Sequence, residues 1–257
     1  MKIITLNVNG IRSAANKGFF TWLKKEEPDV VCVQETKAQE KVLNDDVYRP
    51  EGYHCYYFDP IKPGYSGVAI FCKKKPEKVS MGLGWPHADQ EGRYIQADFP
   101  DFSTASLYMP SGTSGEERQK IKYDFMDRYL PILKKIIHSG RPFIICGDWN
   151  IAHKKIDIKN WRGNQKHSGF LPEERAWMDV VLDQVGFVDA FRVVNQEPDQ
   201  YTWWSRRGQA WAKNVGWRID YQIVTPHFKN LIKSAHIYKD ERFSDHAPLI
   251  MQYRSPY

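Results

Sequence analysis

Short runs of β-branched and apolar residues recur along this chain, and most of them stop abruptly in a cluster of Asn, Asp, Glu, Gln or His. They are Ile3 to Val8, Val30 to Gln34, Gly67 to Phe71, Tyr94 to Phe99, Thr104 to Met109, Phe143 to Cys146, Ile219 to Val224 and Pro248 to Tyr253. Bounded by turn residues, such runs read as buried strands. Between them Phe19 to Glu26, Glu116 to His138 and Pro172 to Val185 carry apolar residues at three- and four-residue spacing. Pro172 suits a first helical turn, and Gly140 and Gly186 are stop signals. Strands that arrive both singly between helices and in consecutive groups predict an α/β four-layer sandwich: two packed mixed β-sheets with helices on the outside. No linker, repeat or low-complexity stretch divides the chain, so residues 1–257 are expected to form one domain.

Hydrophobic residues at 42% and charged residues at 26% match globular averages and argue against a disordered, collagenous or fibrous chain. The excess of Lys and Arg gives a net charge of +6, which favours a polyanionic partner. Aromatics are abundant enough to fill a core and to leave some for stacking on bases or sugars. Cys32, Cys55, Cys72 and Cys146 form no Cys-x-x-Cys pair and read as reduced thiols of an intracellular protein. No apolar stretch approaches the ~20 residues of a membrane span, and the residues after Lys2 form no signal-peptide core. A soluble, cytoplasmic protein without a membrane partner is expected. The stretch from Ala152 to Leu171 is too polar for a core and too rich in Asn, Trp and His for a spacer, so a functional loop is expected there.

The polar clusters carry the chemistry. Asn7-Val8-Asn9-Gly10, Gln34-Glu35-Thr36-Lys37, Gly147-Asp148-Trp149-Asn150, Arg218-Ile219-Asp220 and Ser244-Asp245-His246 sit at strand ends, the rim on which α/β enzymes build sites. Taken singly, an Asn or Asp after a strand is usually a turn or a helix cap. Asp220 is different. It lies inside an apolar strand, where a carboxylate is costly unless it meets a metal or a hydrogen-bonding cation. His246 could be that cation, its tautomer set and its pKa raised by the carboxylate. Glu35, Asn9 and Asp245 supply hard oxygen donors without thiolates, a set suited to Mg²⁺ or Mn²⁺ rather than Zn²⁺. Together these residues outline a metal-dependent phosphoesterase.

Six motifs in order, Asn-x-Asn-Gly, Gln-Glu-Thr-Lys, Tyr-Ser-Gly-Val, Gly-Asp-x-Asn-x-Ala-His, Gly-Trp-Arg-Ile-Asp-Tyr and Ser-Asp-His-Ala-Pro, resemble the exonuclease III and apurinic-apyrimidinic (AP) endonuclease family, within the endonuclease/exonuclease/phosphatase fold. The resemblance runs from Lys2 to Tyr253. It implies Glu35 as principal metal ligand with Asn9 and Asp245 nearby, and Asp148 as the residue that orients or deprotonates the attacking water, with Asn150 holding it. It implies that His246, oriented by Asp220, binds the scissile phosphate, that Asn7 supports the network and that Tyr108 meets the phosphate or the leaving oxygen. Trp203, Trp217 and Ile219 correspond to a small apolar pocket for a base-less or terminal sugar; core packing is the competing reading for both tryptophans. Lys73-Lys74-Lys75, Lys154-Lys155 and Arg206-Arg207 read first as solvated faces and second as phosphate contacts. Ser244, His246 and Asp220 lack the Gly-x-Ser-x-Gly elbow of a serine nucleophile.

Two positions depart from the family pattern. Ser111 stands where relatives commonly carry Asn or Gln, and His167, beside Asn164, stands where relatives carry a residue such as Asn or Gly. An imidazole there narrows the space that DNA running past an abasic sugar must use. The expectation is a monomeric DNA repair phosphodiesterase acting on double-stranded DNA at 3′ ends or nicks, as a 3′→5′ exonuclease and 3′-end trimming enzyme that leaves a 3′-hydroxyl. An efficient endonuclease at abasic sites is the first alternative. A phosphatase for inositol or lipid phosphates and a non-catalytic DNA-binding module are more remote.

Overall fold

The computed structural model describes residues 1–254; residues 255–257, part of the expected 1–257 domain, lie outside the described residues. One six-stranded sheet runs β13 (Ile232–Ile237), β14 (Leu249–Tyr253), β1 (Lys2–Asn7), β2 (Val30–Gln34), β4 (Val68–Cys72), β3 (His54–Phe58). The other runs β5 (Lys78–Met81), β6 (Tyr94–Asp98), β7 (Ser103–Tyr108), β8 (Phe143–Asp148), β12 (Asp220–Val224), β9 (Val188–Asp189). A short ribbon pairs β10 (Trp203–Trp204) with β11 (Gly216–Trp217). Both sheets are mixed: β1 is parallel to β2 and β7 to β8, whereas β14 and β12 join antiparallel. The helices are α1 (Ile11–Asn16), α2 (Phe19–Glu26), α3 (Glu40–Leu43), α4 (Pro86–Gln90), α5 (Glu116–His138), α6 (Trp161–Asn164), α7 (Pro172–Asp179) and α8 (Ala190–Val194). Among the described residues no helix is long and apolar enough to cross a membrane.

The four-layer sandwich follows from strands that are apolar on both faces. Along β1, Ile3 packs into the core between the sheets with Ile144 and Cys146 of β8, while Ile4 and Leu6 turn outward onto Phe19, Trp22 and Leu23 of α2. In β8 the alternation is mirrored, with Phe143 and Ile145 facing Phe125, Tyr129 and Leu133 of α5. Successive side chains of a strand point to opposite faces, so a continuous apolar run serves two cores at once. Polar residues within the central layer fix how the sheets meet. Gln34 Nε2 donates to Ser106 Oγ at 2.9 Å, and Ser106 Oγ donates to the Val33 carbonyl at 2.8 Å. Gln222 Nε2 reaches the Ile3 carbonyl at 2.9 Å while its Oε1 accepts from the Tyr253 hydroxyl at 2.8 Å. Each of these donors has a partner on the facing sheet or its own, so a slip of one sheet over the other would orphan several of them.

The structure adds elements that the apolar runs did not announce. β3, β5 and β13 are partly exposed edge strands, and the expected helix over Pro172 to Val185 opens after Asp179 into wider turns closed by Gly186. The loop from Ala152 to Leu171 is less solvated than its composition suggests, because Ala152, Ile158 and Phe170 bury themselves with Ile219 in a small core of their own. All four cysteines are free, and Cys32, Cys72 and Cys146 are buried.

That loop is anchored by a buried cation. Arg218, 1% exposed, donates to Asp157 at 2.8 Å and to both oxygens of Asp189 at 3.2 and 2.6 Å, and its guanidinium lies over the Phe191 and Tyr221 rings. Arg192 adds a second bond to Asp157 at 2.6 Å. Burial pushes the Asp157 carboxyl up, but Arg218 and Arg192 outweigh it and hold its pKa at about 2, against an ordinary value of 3.8. The folded state therefore binds this proton less tightly than the unfolded chain, and the stabilisation is complete above about pH 4 and lost as pH falls through 2. Asp157→Asn should lower unfolding free energy at pH 7 by roughly 3 kcal/mol, since it leaves buried guanidinium groups under-compensated. Denaturant unfolding at pH 7 and pH 2.5 checks both points: the parent should lose more stability between them than the variant does.

Candidate active site

The polar strand ends gather at one end of both sheets. In the first sheet Asn7 of β1 pairs in register with Gln34 of β2, which places Glu35 one residue beyond the strand. In the second, Tyr108, Asp148 and Asp220 are direct cross-strand neighbours on β7, β8 and β12. Asn7 closes the gap between sheets: its Nδ2 donates to Glu35 Oε1 at 2.8 Å and to Asp148 Oδ2 at 2.9 Å, and its Oδ1 accepts the Asn9 N–H at 2.9 Å. His246 approaches from the turn before β14, its Nδ1 donating to Asp220 Oδ2 at 2.8 Å and its Nε2 lying 3.8 Å from Asp148 Oδ2.

Backbone strain shapes this rim. Asn9, Glu35, Lys37 and Asn150 all have φ between 44° and 51°, a left-handed conformation uncommon for Asn and costly for Glu and Lys. It persists because neighbouring strands hold the peptides on either side: Gly10 N–H donates to the Glu35 carbonyl at 2.7 Å and Lys37 N–H to the Ser66 carbonyl at 2.8 Å. Asn150 is held by its own N–H on Asp148 Oδ1 at 2.9 Å and by its Nδ2 on the Met109 carbonyl at 2.7 Å. In consequence the side chains after each strand turn toward a common point.

That point is the floor of a cavity of about 880 Å³, lined by Glu35, Tyr108, Asp148, Asn150, Asp245 and His246, with Trp203, Trp217 and Ile219 as one wall. Ser111, Asn164 and His167 lie on its rim. Trp203 and Trp217 meet edge to face with centroids 6.0 Å apart. Both rings are half-buried and face the cavity, so they are not simply core. Asn7 and Asp220 are fully buried behind this surface and act through Asp148, Glu35 and His246. Ser244 Oγ accepts the His246 N–H and donates to Asp245 Oδ1, so it serves the turn rather than the imidazole.

The electrostatics are uneven. Burial pushes the His246 imidazole down, but Asp220, then Asp148 and Asp245, raise its pKa to about 10. The ring is therefore a cation throughout the neutral range, and its contribution to stability, full below about 6.5, is lost as pH rises through 10. Burial and the Asp220 charge raise the Asp148 carboxyl to about 7, against the opposing pull of His246 and the Asn150 and Asn7 donors. Burial also lifts the Tyr108 hydroxyl well above its usual range, aided by the charges of Glu35 and Asp148, while Arg93 lies over its ring at 4.8 Å.

Glu35, Asp148 and His246 each present a potential ligand atom, all within 4.8 Å of one another. A charged His246 engaged with Asp220 is a donor and not a ligand, which leaves two carboxylates as the hard-oxygen pair. A carboxyl raised to about 7 marks a place where negative charge lacks compensation, so the donors fit a hard divalent cation. The set expected from sequence, Glu35 with Asn9 and Asp245, is arranged less directly. Lys37 Nζ stands 3.1 Å from Glu35 Oε2 and 2.5 Å from Asn9 Oδ1, and Asn9 Nδ2 donates to Asp245 Oδ1 at 2.9 Å.

Several contributors were not assigned from sequence. Lys37 sits in the quoted Gln-Glu-Thr-Lys cluster, yet its bridge between Glu35 and Asn9 depends on the strained backbone. Arg207, taken first as solvated, lines the cavity, whereas Lys154 pairs with Asp179 at 2.6 Å. Gly169 passes under Trp217; a Cβ there would lie 2.9 Å from the indole Cζ3.

Comparison with known proteins agrees with this geometry. Residues 4–246 match the model of the Endonuclease/Exonuclease/phosphatase family. The chain belongs to that family. It is 39% identical over 251 residues to the exodeoxyribonuclease of Bacillus subtilis, covering 97% of this chain and 98% of that protein. It is 40% identical to the DNA repair nuclease APEX1 of Danio rerio, covering 98% and 81% respectively. Its backbone superposes on an AP endonuclease from Archaeoglobus fulgidus with a TM-score of 0.91 at 29% identity, covering 99% of this chain and 100% of the other. The protein is a nuclease of this family.

Asp220→Asn tests the charge on His246. Without the carboxylate the imidazole should titrate near neutral pH, so proton NMR of its ring should show a titration between pH 5 and 9 that the parent lacks.

Proposed function

We propose that this nuclease hydrolyses phosphodiesters of double-stranded DNA with a bound divalent cation, Mg²⁺ or Mn²⁺, and that it works preferentially at 3′ ends and nicks to leave a 3′-hydroxyl. The observation that carries the reading is the convergence of Glu35, Asp148 and a charged His246 on the floor of a cavity walled by Trp203, Trp217 and Ile219. The relatives named as an exodeoxyribonuclease and a DNA repair nuclease support the substrate.

Each group has a task that its surroundings suit. Glu35, with Asp148 beside it and Asn9 and Asp245 behind, would hold the cation, which when bound neutralises charge on the phosphate and stabilises the leaving oxygen. Asp148, buried beside Asn150, whose N–H it accepts at 2.9 Å, is placed to orient and deprotonate the water that Asn150 helps hold. His246 brings a fixed positive charge to a phosphate oxygen, and the hydrogen-bonded Asp220 carboxylate keeps that charge in place against the pull of burial. Tyr108, protonated at all working pH values, can donate to a phosphate or leaving oxygen. The indole and isoleucine wall accepts a sugar with no base attached or one at the end of a strand.

Preference for 3′ ends rests on His167. Its backbone is tied into the rim by His167 N–H on the Asn164 carbonyl and Phe170 N–H on the His167 carbonyl, both at 3.0 Å, so an exposed imidazole is carried on a braced loop beside the cavity. A strand that continues past the cavity must displace it; a strand that ends there need not. Efficient abasic incision is the second reading, favoured by the absence of any hydrogen bond from the His167 side chain among the described residues and by the likeness to an AP endonuclease.

Matched duplexes, one with a recessed 3′ end and one with an internal abasic analogue, separate the two. The 3′ end should be cut at least about tenfold faster, and EDTA or Glu35→Gln should reduce both rates by about a hundredfold or more. His167→Gly should raise abasic incision and leave 3′-end cleavage within twofold. Equal rates on both duplexes in the parent would overturn the preference, and undiminished cleavage in EDTA would overturn the metal requirement.

A further inference from the structure

We propose that the buried Lys122–Glu174 ion pair is a positioning device that holds Asn150 in its working conformation and braces the rim loop against it. The inference rests on the reading of Asn150 as a residue that holds the attacking water. Lys122 on α5 and Glu174 on α7 are both fully buried, with Nζ 2.6 Å from Oε1. Neither contacts the cavity floor. Each instead reaches a backbone segment that does.

Lys122 Nζ donates to the Asn150 carbonyl at 2.7 Å. Together with the Asn150 N–H on Asp148 and the Asn150 amide on Met109, this pins the residue at three points around a backbone with φ of 51°. Glu174 Oε2 accepts the N–H groups of Gly169 at 2.6 Å and Leu171 at 3.1 Å, and its Oε1 accepts from Gln119 Nε2 at 3.0 Å. Gly169 N–H is therefore fixed on the same ion pair as the Asn150 carbonyl, and Ala152 N–H donates to the Gly169 carbonyl at 2.8 Å. One salt bridge ties the catalytic strand end to the loop that carries Asn164 and His167.

Stability alone does not account for such a pair. Taking two charges out of water costs as much as their attraction returns, and apolar residues of equal volume commonly serve as well. What an apolar pair cannot do is donate to one strained peptide and accept from two others. Misplacing a water-holding group by a fraction of an ångström slows chemistry more than it weakens binding.

The test is the double variant Lys122→Met, Glu174→Gln. Both charges go together, and the Gln carbonyl can still accept the Gly169 and Leu171 N–H groups. Its amide takes the place of Oε1, where Ser168 Oγ at 3.3 Å can accept from it and where Gln119 must turn its own amide over to present Oε1, the atom that has no partner in the parent. Beyond that local turn of Gln119 and Ser168, the contact removed is the tether to Asn150. Thermal unfolding should shift by no more than a few degrees and KM for the 3′-recessed duplex should stay within twofold, while kcat falls about tenfold. Lys122→Arg, which keeps the charge and donors, should recover most of kcat. A double variant with the parent's kcat overturns the proposal, as does a kcat in both variants that merely tracks the folded fraction. If the parent cleaves neither duplex, it is the functional reading that fails. The positioning claim is then read from the ¹⁵N–¹H resonances of the Asn150 side-chain amide, which should move in the double variant; an unmoved resonance overturns it.

Discussion

The site depends on one side chain that no strand could supply alone. Asn7 belongs to the first sheet, and its amide group spends one N–H on Glu35 of that sheet and the other on Asp148 of the second. Both carboxylates are thereby set at hydrogen-bonding distance from one nitrogen, and their separation is fixed by the geometry of an amide. An Asp at this position would bring a third negative charge and no donor. A Leu would take one donor from each carboxylate and leave Asp148, buried in the second sheet, with the Asn150 N–H and the more distant His246 alone. The packing of the sheets, set by Gln34, Ser106, Gln222 and Tyr253, is what brings Asn7 within reach of a residue 141 positions away.

Around that bridge the protein buries several charged groups, and each of the following is tied to a segment of the site. Arg218 lies between Trp217 and Ile219 in sequence, so its bonds to Asp157 and Asp189 fix the apolar wall. Arg93 donates to the Tyr108 carbonyl at 3.1 Å and stacks on its ring. His246 is held by Asp220, and Lys122 with Glu174 holds Asn150 and Gly169. A buried ion pair returns little net stability but tolerates little displacement, which suits groups that must keep still while a substrate comes and goes.

Much of this was legible along the chain. The strands buried on both faces, β1, β2, β4, β7, β8, β12 and most of β14, announce themselves because each lies between two layers. Edge strands such as β3 and β13 do not: half the residues of β13 face water, and β3 is nowhere fully buried and carries a His and two Tyr. Glu35, Asp148, Asp220 and His246 were legible as polar residues where apolar runs stop, and Asp220 as a carboxylate in a place that demands a cation. The role of Lys37 was not, because it follows from a left-handed turn at Glu35 and Lys37 that nothing in their side chains favours. The Lys122–Glu174 pair was also hidden: on an amphipathic helix both residues read as solvent-facing charges, and only the arrival of the Asn150 carbonyl and the Gly169 loop makes their burial sensible.

Sequence by itself determined the composition of the layers, the residues that reach the strand ends and the chemical type of each, because side-chain polarity and strand periodicity are local properties. Tertiary structure decided which of those ends share a cavity, which groups are charged and which stand behind the surface. Asp148 and His246 take their unusual proton affinities from neighbours on other strands and from exclusion of water, and neither exists until the two sheets close over them.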